Sequence, residues 1–126
     1  YNKTLIQISK KVQEYLNFKN IEFLCEDFLK FETEKKFDLI LSLANHTTFD
    51  KGIESSEVYF NKVFNLLEND GIILIESHHP KYEKKEDFEK MIVNLVEKFK
   101  LNIINEKKLI TGSYYDDGRN FYFLKK

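Results

Sequence analysis

The order of elements in this chain predicts an α/β fold: a mostly parallel sheet that ends in an antiparallel hairpin. Two observations carry that expectation. Short apolar runs that read as strands alternate with amphipathic helical segments, and such alternation implies right-handed crossovers in a layered sheet. The last quarter then holds two strand-like runs, LNIINEKKLI and NFYFL, joined by a link too short for a parallel crossover.

The elements follow in order. Leu5, Ile8, Val12 and Leu16 recur at steps of three and four, which places an amphipathic helix at residues 4 to 17, capped by Thr4 or Asn2. IEFLCED, residues 21 to 27, is a short apolar run between polar residues and reads as a strand. FETEKKF is a charged connection. FDLILSLA, residues 37 to 44, is apolar on both faces, as the centre of a parallel sheet requires. Residues 56 to 68 form a second helix, with Phe60, Val63, Phe64 and Leu67 on one stripe and Ser55 or Ser56 as its cap. Asn69-Asp70-Gly71 stops that helix, with Gly71 expected in the left-handed conformation. IILIE is the next buried strand. KYEKKEDFEK carries both signs of charge and reads as a solvated loop and helix start. Phe88, Met91 or Ile92, Leu95 and Phe99 define the third helix, before the hairpin.

A length of 126 residues suits one domain spanning residues 1 to 126. The formal net charge is −1 with lysines and acids interspersed, so the expectation is no nucleic-acid partner. No apolar run approaches the ~20 residues that span a bilayer, and no secretory pattern opens the chain, so no membrane partner and a cytoplasmic location are expected. Cys25, the single cysteine, sits in an apolar run and reads as an inert buried thiol of a reducing compartment.

In sheets of this kind, ligands sit beyond the carboxyl ends of the parallel strands. ANHTT (44 to 48) and SHHP (77 to 80) fall there, and GSYYDDGR (112 to 119) joins them if the first hairpin strand runs parallel to the others. His46, His78 and His79 are natural proton acceptors, with unperturbed pKa near ~6.5; the alternative is that they orient loops or line an acceptor pocket. Glu76 either orients a histidine or is a strand-end acid facing solvent or a lysine. His46, His78, His79, Glu76 and Asp50 include metal-ligand types. No H-x-x-x-H or H-E-x-x-H helix is present, and adjacent histidines point opposite ways on an extended chain, so no metal is expected. Tyr114, Tyr115, Asp116, Asp117 and Arg119, bracketed by Gly112 and Gly118, suit either acceptor recognition or a hairpin loop with solubilising acids.

The whole pattern resembles the class I S-adenosylmethionine-dependent methyltransferases. NIEFLCEDF resembles the third strand of that fold, FDLILSLANH the fourth, and YFNKVFNLLENDGIILIE the helix and fifth strand. Glu68-Asn69-Asp70-Gly71 departs from the family's usual L-L-K-P-G-G, lacking the proline and one glycine. The four glycines show no G-x-G spacing, so the glycine-rich turn is missing. The resemblance therefore implies a partial Rossmann-like three-layer α/β/α methyltransferase fold, the carboxyl-terminal portion of the domain. It also implies a sheet order 3-2-1-4-5-7-6, in which loss of strands 1 and 2 leaves residues 37 to 43 as an unpaired apolar edge. The expectation is that residues 21 to 27 move beside that edge or swap into a second molecule, which makes a homodimer a possible partner state.

The resemblance also assigns roles. Asp27 accepts a hydrogen bond from the adenine amino group, with Phe28 beside the ring. Ser42, Leu43, Ala44 and Asn45 pass the methionine part of the cofactor, where small residues let the backbone approach. Methyl transfer from a sulfonium is an in-line displacement that needs alignment, and a base if the acceptor carries a proton; His46 or His78 is the candidate base. His79, Tyr114, Tyr115, Asp116 and Arg119 are candidates for acceptor binding. No basic face and no D-P-P-Y or N-P-P-Y motif is present, which favours a small-molecule or saccharide acceptor. The 126-residue chain alone is expected to bind S-adenosylmethionine weakly and to be inactive. Two other readings stand beside this one: a non-catalytic oligomerisation module, and another doubly wound nucleotide-binding enzyme such as a dehydrogenase.

Overall fold

Strand β1, Phe37–Ser42, lies at one edge of a four-stranded sheet of order β1-β2-β4-β3. The structure, a computed structural model, describes residues 2–43, 53–76, 85–109 and 119–126, with the side chains of 53–56, 85–88, 109 and 119 outside the description. By internal contacts the chain forms two compact units, Tyr1–Thr33 and Glu34–Lys126.

In the first unit, α1 spans Lys3–Tyr15. Asn2 caps it, as expected, accepting from the Leu5 amide at 3.2 Å. Asn17 takes the left-handed conformation (φ 53°) after its last turn, a position that asparagine tolerates. No α1 residue is buried: Leu5, Ile8 and Val12 form the expected stripe but stay exposed. Residues 21 to 27 correct the sequence reading. They form no strand, and they do not pair with β1, whose only ladder partner among the described residues is β2. An apolar run becomes a strand only when a neighbouring chain takes up its backbone donors and acceptors, and no sheet neighbour does so here. Cys25 is half-buried rather than buried.

The second unit carries the sheet. From β1 the chain reaches α2 (Ile53–Leu66), β2 (Leu67–Glu76), α3 (Lys85–Phe99), β3 (Asn102–Leu109) and β4 (Arg119–Lys125). β1 and β2 are parallel, while β4 runs antiparallel to both β2 and β3. The first hairpin strand therefore runs parallel to β1 and β2, and the predicted hairpin is present. Phe60, Val63 and Phe64 of α2 are buried as the periodicity predicted, as are Ile92 and Leu95 of α3; Leu67 is buried too, but as the first residue of β2 and not on the helix. The Phe64 and Phe99 rings, 4.4 Å between centroids, join α2 to α3, and Lys98 pairs with Glu57 at 3.3 Å.

Two local expectations are overturned. α2 begins at Ile53, so Ser55 and Ser56 lie inside the helix instead of capping it. β2 begins directly after α2, and the left-handed residue is Asp70 (φ 66°), not Gly71. Aspartate is among the few residues with a side chain that visit this conformation, and its carboxylate meets Lys125 Nζ at 2.9 Å. Gly71 serves a different need. A Cβ there would lie 2.8 Å from Leu67 Cγ and 2.9 Å from the Glu68 carbonyl, so the chain requires a residue without one. The same stretch makes the β1–β2 register jump from Phe37↔Leu67 to Leu39↔Ile72.

Lysines from outside the helix close the end of α2. Lys126 Nζ donates to the carbonyls of Phe64 (3.2 Å) and Leu67 (3.1 Å), and Lys36 Nζ donates to that of Asn65. These carbonyls belong to or follow the last helical turn, where acceptors lack intrahelical partners and a positive charge is favoured.

Candidate active site

Register places the ends of all four strands at one edge of the sheet. Ser42 of β1 pairs with Ile75, Glu76 at the end of β2 pairs with Phe121, and Leu109 at the end of β3 pairs with Arg119, which opens β4. His46, His78, His79, Tyr114, Tyr115, Asp116, Ala44 and Asn45 lie outside the described residues, as does Asp50. The segments that contain them are joined to strands that all reach this edge. Arg119 is described as a backbone position only.

Along one face of the sheet, composition changes from one row to the next. Ile40, Ile73 and Leu124 form an apolar row by register. The next row, nearer the carboxyl ends of β1 and β2, is Ser42, Ile75, Tyr122 and Glu106. Ser42 and Tyr59 of α2 share a buried hydrogen bond of 2.8 Å between their hydroxyls, which ties the end of β1 to the helix that follows it. Burial pushes the Tyr122 phenol above its ordinary pKa of 10.0, the Glu106 carboxylate adds to the rise, and a hydrogen bond with Asn120 opposes it. Asn120 is itself buried. Neither the Ser42–Tyr59 pair nor the Tyr122 group was anticipated; the available signal was hydroxyl and amide residues inside otherwise apolar strand ends.

Glu76 is 7% exposed, so the reading of a strand-end acid facing solvent is corrected: its side chain is enclosed. Leu43, directly after β1, is exposed, and with buried Ser42 it forms the described end of the strand.

Asp27 and Phe28 belong to the first unit. The Asp27 side chain accepts from the Leu29 amide at 3.0 Å, and its carbonyl accepts from the Lys30 and Phe31 amides, both at 2.9 Å. The acid thus opens a turn. A carboxylate carries acceptor sites on both oxygens, so this one backbone bond leaves it capacity to accept from a further amino group. Among the described residues no three histidine, cysteine or acidic side chains gather as metal ligands, and no helix is long and apolar enough to cross a membrane.

The model of the family described as "Methyltransferase domain" matches residues 1–118. The chain belongs to the methyltransferase domain family. Solved structures agree on the fold. N-methyltransferase NodS from Bradyrhizobium japonicum is 16% identical, with a TM-score of 0.72 over 94% of this chain and 67% of its own. An S-adenosylmethionine-dependent methyltransferase from Clostridium acetobutylicum is 14% identical, with a TM-score of 0.69 over 98% of this chain and 72% of its own. Magnesium protoporphyrin IX methyltransferase from Synechocystis, solved with bound S-adenosylmethionine, is 16% identical, with a TM-score of 0.68 over 94% of this chain and 52% of its own. The chain thus spans about two thirds or less of two of these relatives. The partial Rossmann-like fold and S-adenosylmethionine as the family's methyl donor both stand.

Proposed function

We propose that these 126 residues supply part of the donor site and the acceptor side of an S-adenosylmethionine-dependent methyltransferase that acts on a small molecule or saccharide. The observation that supports this reading most is the convergence of all four strand ends at one edge, within a chain matched over residues 1–118 by the methyltransferase family. S-adenosylmethionine supplies an electrophilic methyl group on a sulfonium. The roles of this chain's residues are to hold and align. Asp27 accepts from the adenine amino group, Phe28 lies beside the ring, and the backbone of Leu43, Ala44 and Asn45 passes the amino-acid part. His46 or His78 takes the acceptor proton. His79, Tyr114, Tyr115, Asp116 and Arg119 bind the acceptor. The near-neutral charge, −1, favours acceptors other than nucleic acid.

Because no G-x-G turn is present among the 126 residues, the chain by itself should bind S-adenosylmethionine weakly. Titration calorimetry with S-adenosylhomocysteine tests this directly. The expected result is heat too small to fit, and micromolar binding would overturn the idea that the donor cradle is incomplete. With a chain that carries a strand and glycine turn ahead of Tyr1, binding should appear, and Asp27→Asn should weaken it about tenfold, equivalent to ~1.4 kcal/mol. His46→Gln and His78→Gln in that longer protein should separate the base from its neighbour. One should lower kcat and flatten the acid limb of the pH profile while KM for the donor stays unchanged.

A further inference from the structure

The buried polar side chains of the second unit stand together. Among the described residues they are Ser42, Glu76 and Asn120. All three lie where the carboxyl ends of β1 and β2 meet the start of β4. The core behind them, built on Phe60, Val63, Ile73 and Leu124, is apolar. Ser42 is held from a different element. Its hydroxyl lies 2.8 Å from that of Tyr59 on α2, 17 residues along the chain. The Tyr59 ring is fixed in turn. It meets the Phe60 ring edge to face at 5.0 Å between centroids, and Phe60 stacks on Phe64, which meets Phe99 of α3.

Tyr59 and Ser42 are 4% and 2% exposed, so both hydroxyls are enclosed. An apolar pair of the same shape would be nearly neutral or stabilising for the fold, because it avoids the desolvation of two hydroxyls. What the hydroxyl pair adds is direction: it ties the last residue of β1 to one point on the helix. Leu43 follows at once, and with it the backbone assigned above to the donor.

We propose that Tyr59 is a positioning residue for the methyl donor. It acts through Ser42, fixing the end of β1 so that the backbone of Leu43, Ala44 and Asn45 is set to receive the amino-acid part of S-adenosylmethionine. The Ser42 side chain faces the helix, so its part is to hold the strand end and not to touch the donor. The inference rests on the donor role proposed above for that segment.

Titration of S-adenosylhomocysteine into the longer protein, with a strand and glycine turn ahead of Tyr1, tests it. Tyr59→Phe should weaken binding about three- to tenfold, the scale of one buried hydrogen bond. Ser42→Ala should do the same, and the double variant should lose no more than either, because the two hydroxyls act as one group. Leu124→Ala is the control. It removes more stability than Tyr59→Phe, yet should bind as tightly as the parent. If the parent binds and Tyr59→Phe binds equally well, the positioning role alone is overturned. Equal weakening by Leu124→Ala overturns it too, since the loss would then follow overall stability. A parent that binds no S-adenosylhomocysteine overturns the donor-site reading and this inference with it.

Discussion

The two faces of the sheet are made from the same strands, yet they end in different environments. On the face that carries Ile73, Ile75 and Leu124, those side chains are fully buried; Ser42 on that face bonds to Tyr59 of α2, and Glu89 of α3 lies close enough to influence Tyr122. On the opposite face, Leu39 and Leu41 are exposed and Ile72, Leu74, Phe121 and Phe123 are only partly covered. Hydrophobicity does not distinguish the two sets. Helices α2 and α3 lie against the first face, and this teaches that alternation assigns a residue to a face while a neighbouring element decides whether that face is a core.

The sharpest way to break this comparison is to truncate one residue on each face. Leu124→Ala should cost about 2–5 kcal/mol by urea unfolding, because the buried side chain leaves a cavity. Leu41→Ala should cost about 0.5 kcal/mol or less, as surface changes do. Equal losses would mean that the second face is covered in solution. Gly71→Ala should rank next, at about 1–3 kcal/mol, since its new methyl meets a backbone carbonyl as well as Leu67. Tyr59→Phe should cost about 1–2 kcal/mol by leaving the buried Ser42 hydroxyl without its partner. Ser42→Ala in the same background should then add less than it does alone, which a double-mutant cycle would read as coupling.

Smaller effects sharpen the contrast through charge. The Tyr122 phenol has a folded-state pKa raised above 10.0 by burial, so it stays protonated in the folded chain when the unfolded chain begins to ionise. Its contribution is fully present below the unfolded value and is lost as pH rises through the folded one. Tyr122→Phe should flatten the alkaline decline of the melting temperature without changing the neutral value by a comparable amount. The smallest effect belongs to Asp70. Its bond to Lys125 holds the carboxyl below the usual carboxylate range, so whatever stability it contributes is present above that range and is lost as pH falls through the folded value. Asp70→Asn keeps a residue suited to positive φ while removing the charge, and denaturant titration should detect little change, less still at high salt.

Much of the second unit was legible because its signals are local. A helical stripe such as Phe60, Val63 and Phe64 repeats at steps of three and four, and the short link between β3 and β4 excludes any pairing but antiparallel. The failures lie where a residue's state depends on what stands beside it. IEFLCED has the composition of a strand but no ladder partner. Gly71 seemed the left-handed residue, yet the chain turns one position earlier and uses the glycine for a close contact with Leu67. Of the candidate site, the strand ends and their common edge could be read from element order. The Ser42–Tyr59 bond could not, because two hydroxyls 17 residues apart meet only after a crossover brings α2 back over the end of β1.

By itself, the sequence determined the alternation of strands and helices, the hairpin, and the family to which they belong, since each rests on periodicity and order along the chain. Only the tertiary structure decided which side chains of the sheet became a core, that Ser42 would meet Tyr59, and that Glu76 would be enclosed. Burial and pairing depend on neighbours brought from elsewhere in the chain, and no local pattern specifies those alone.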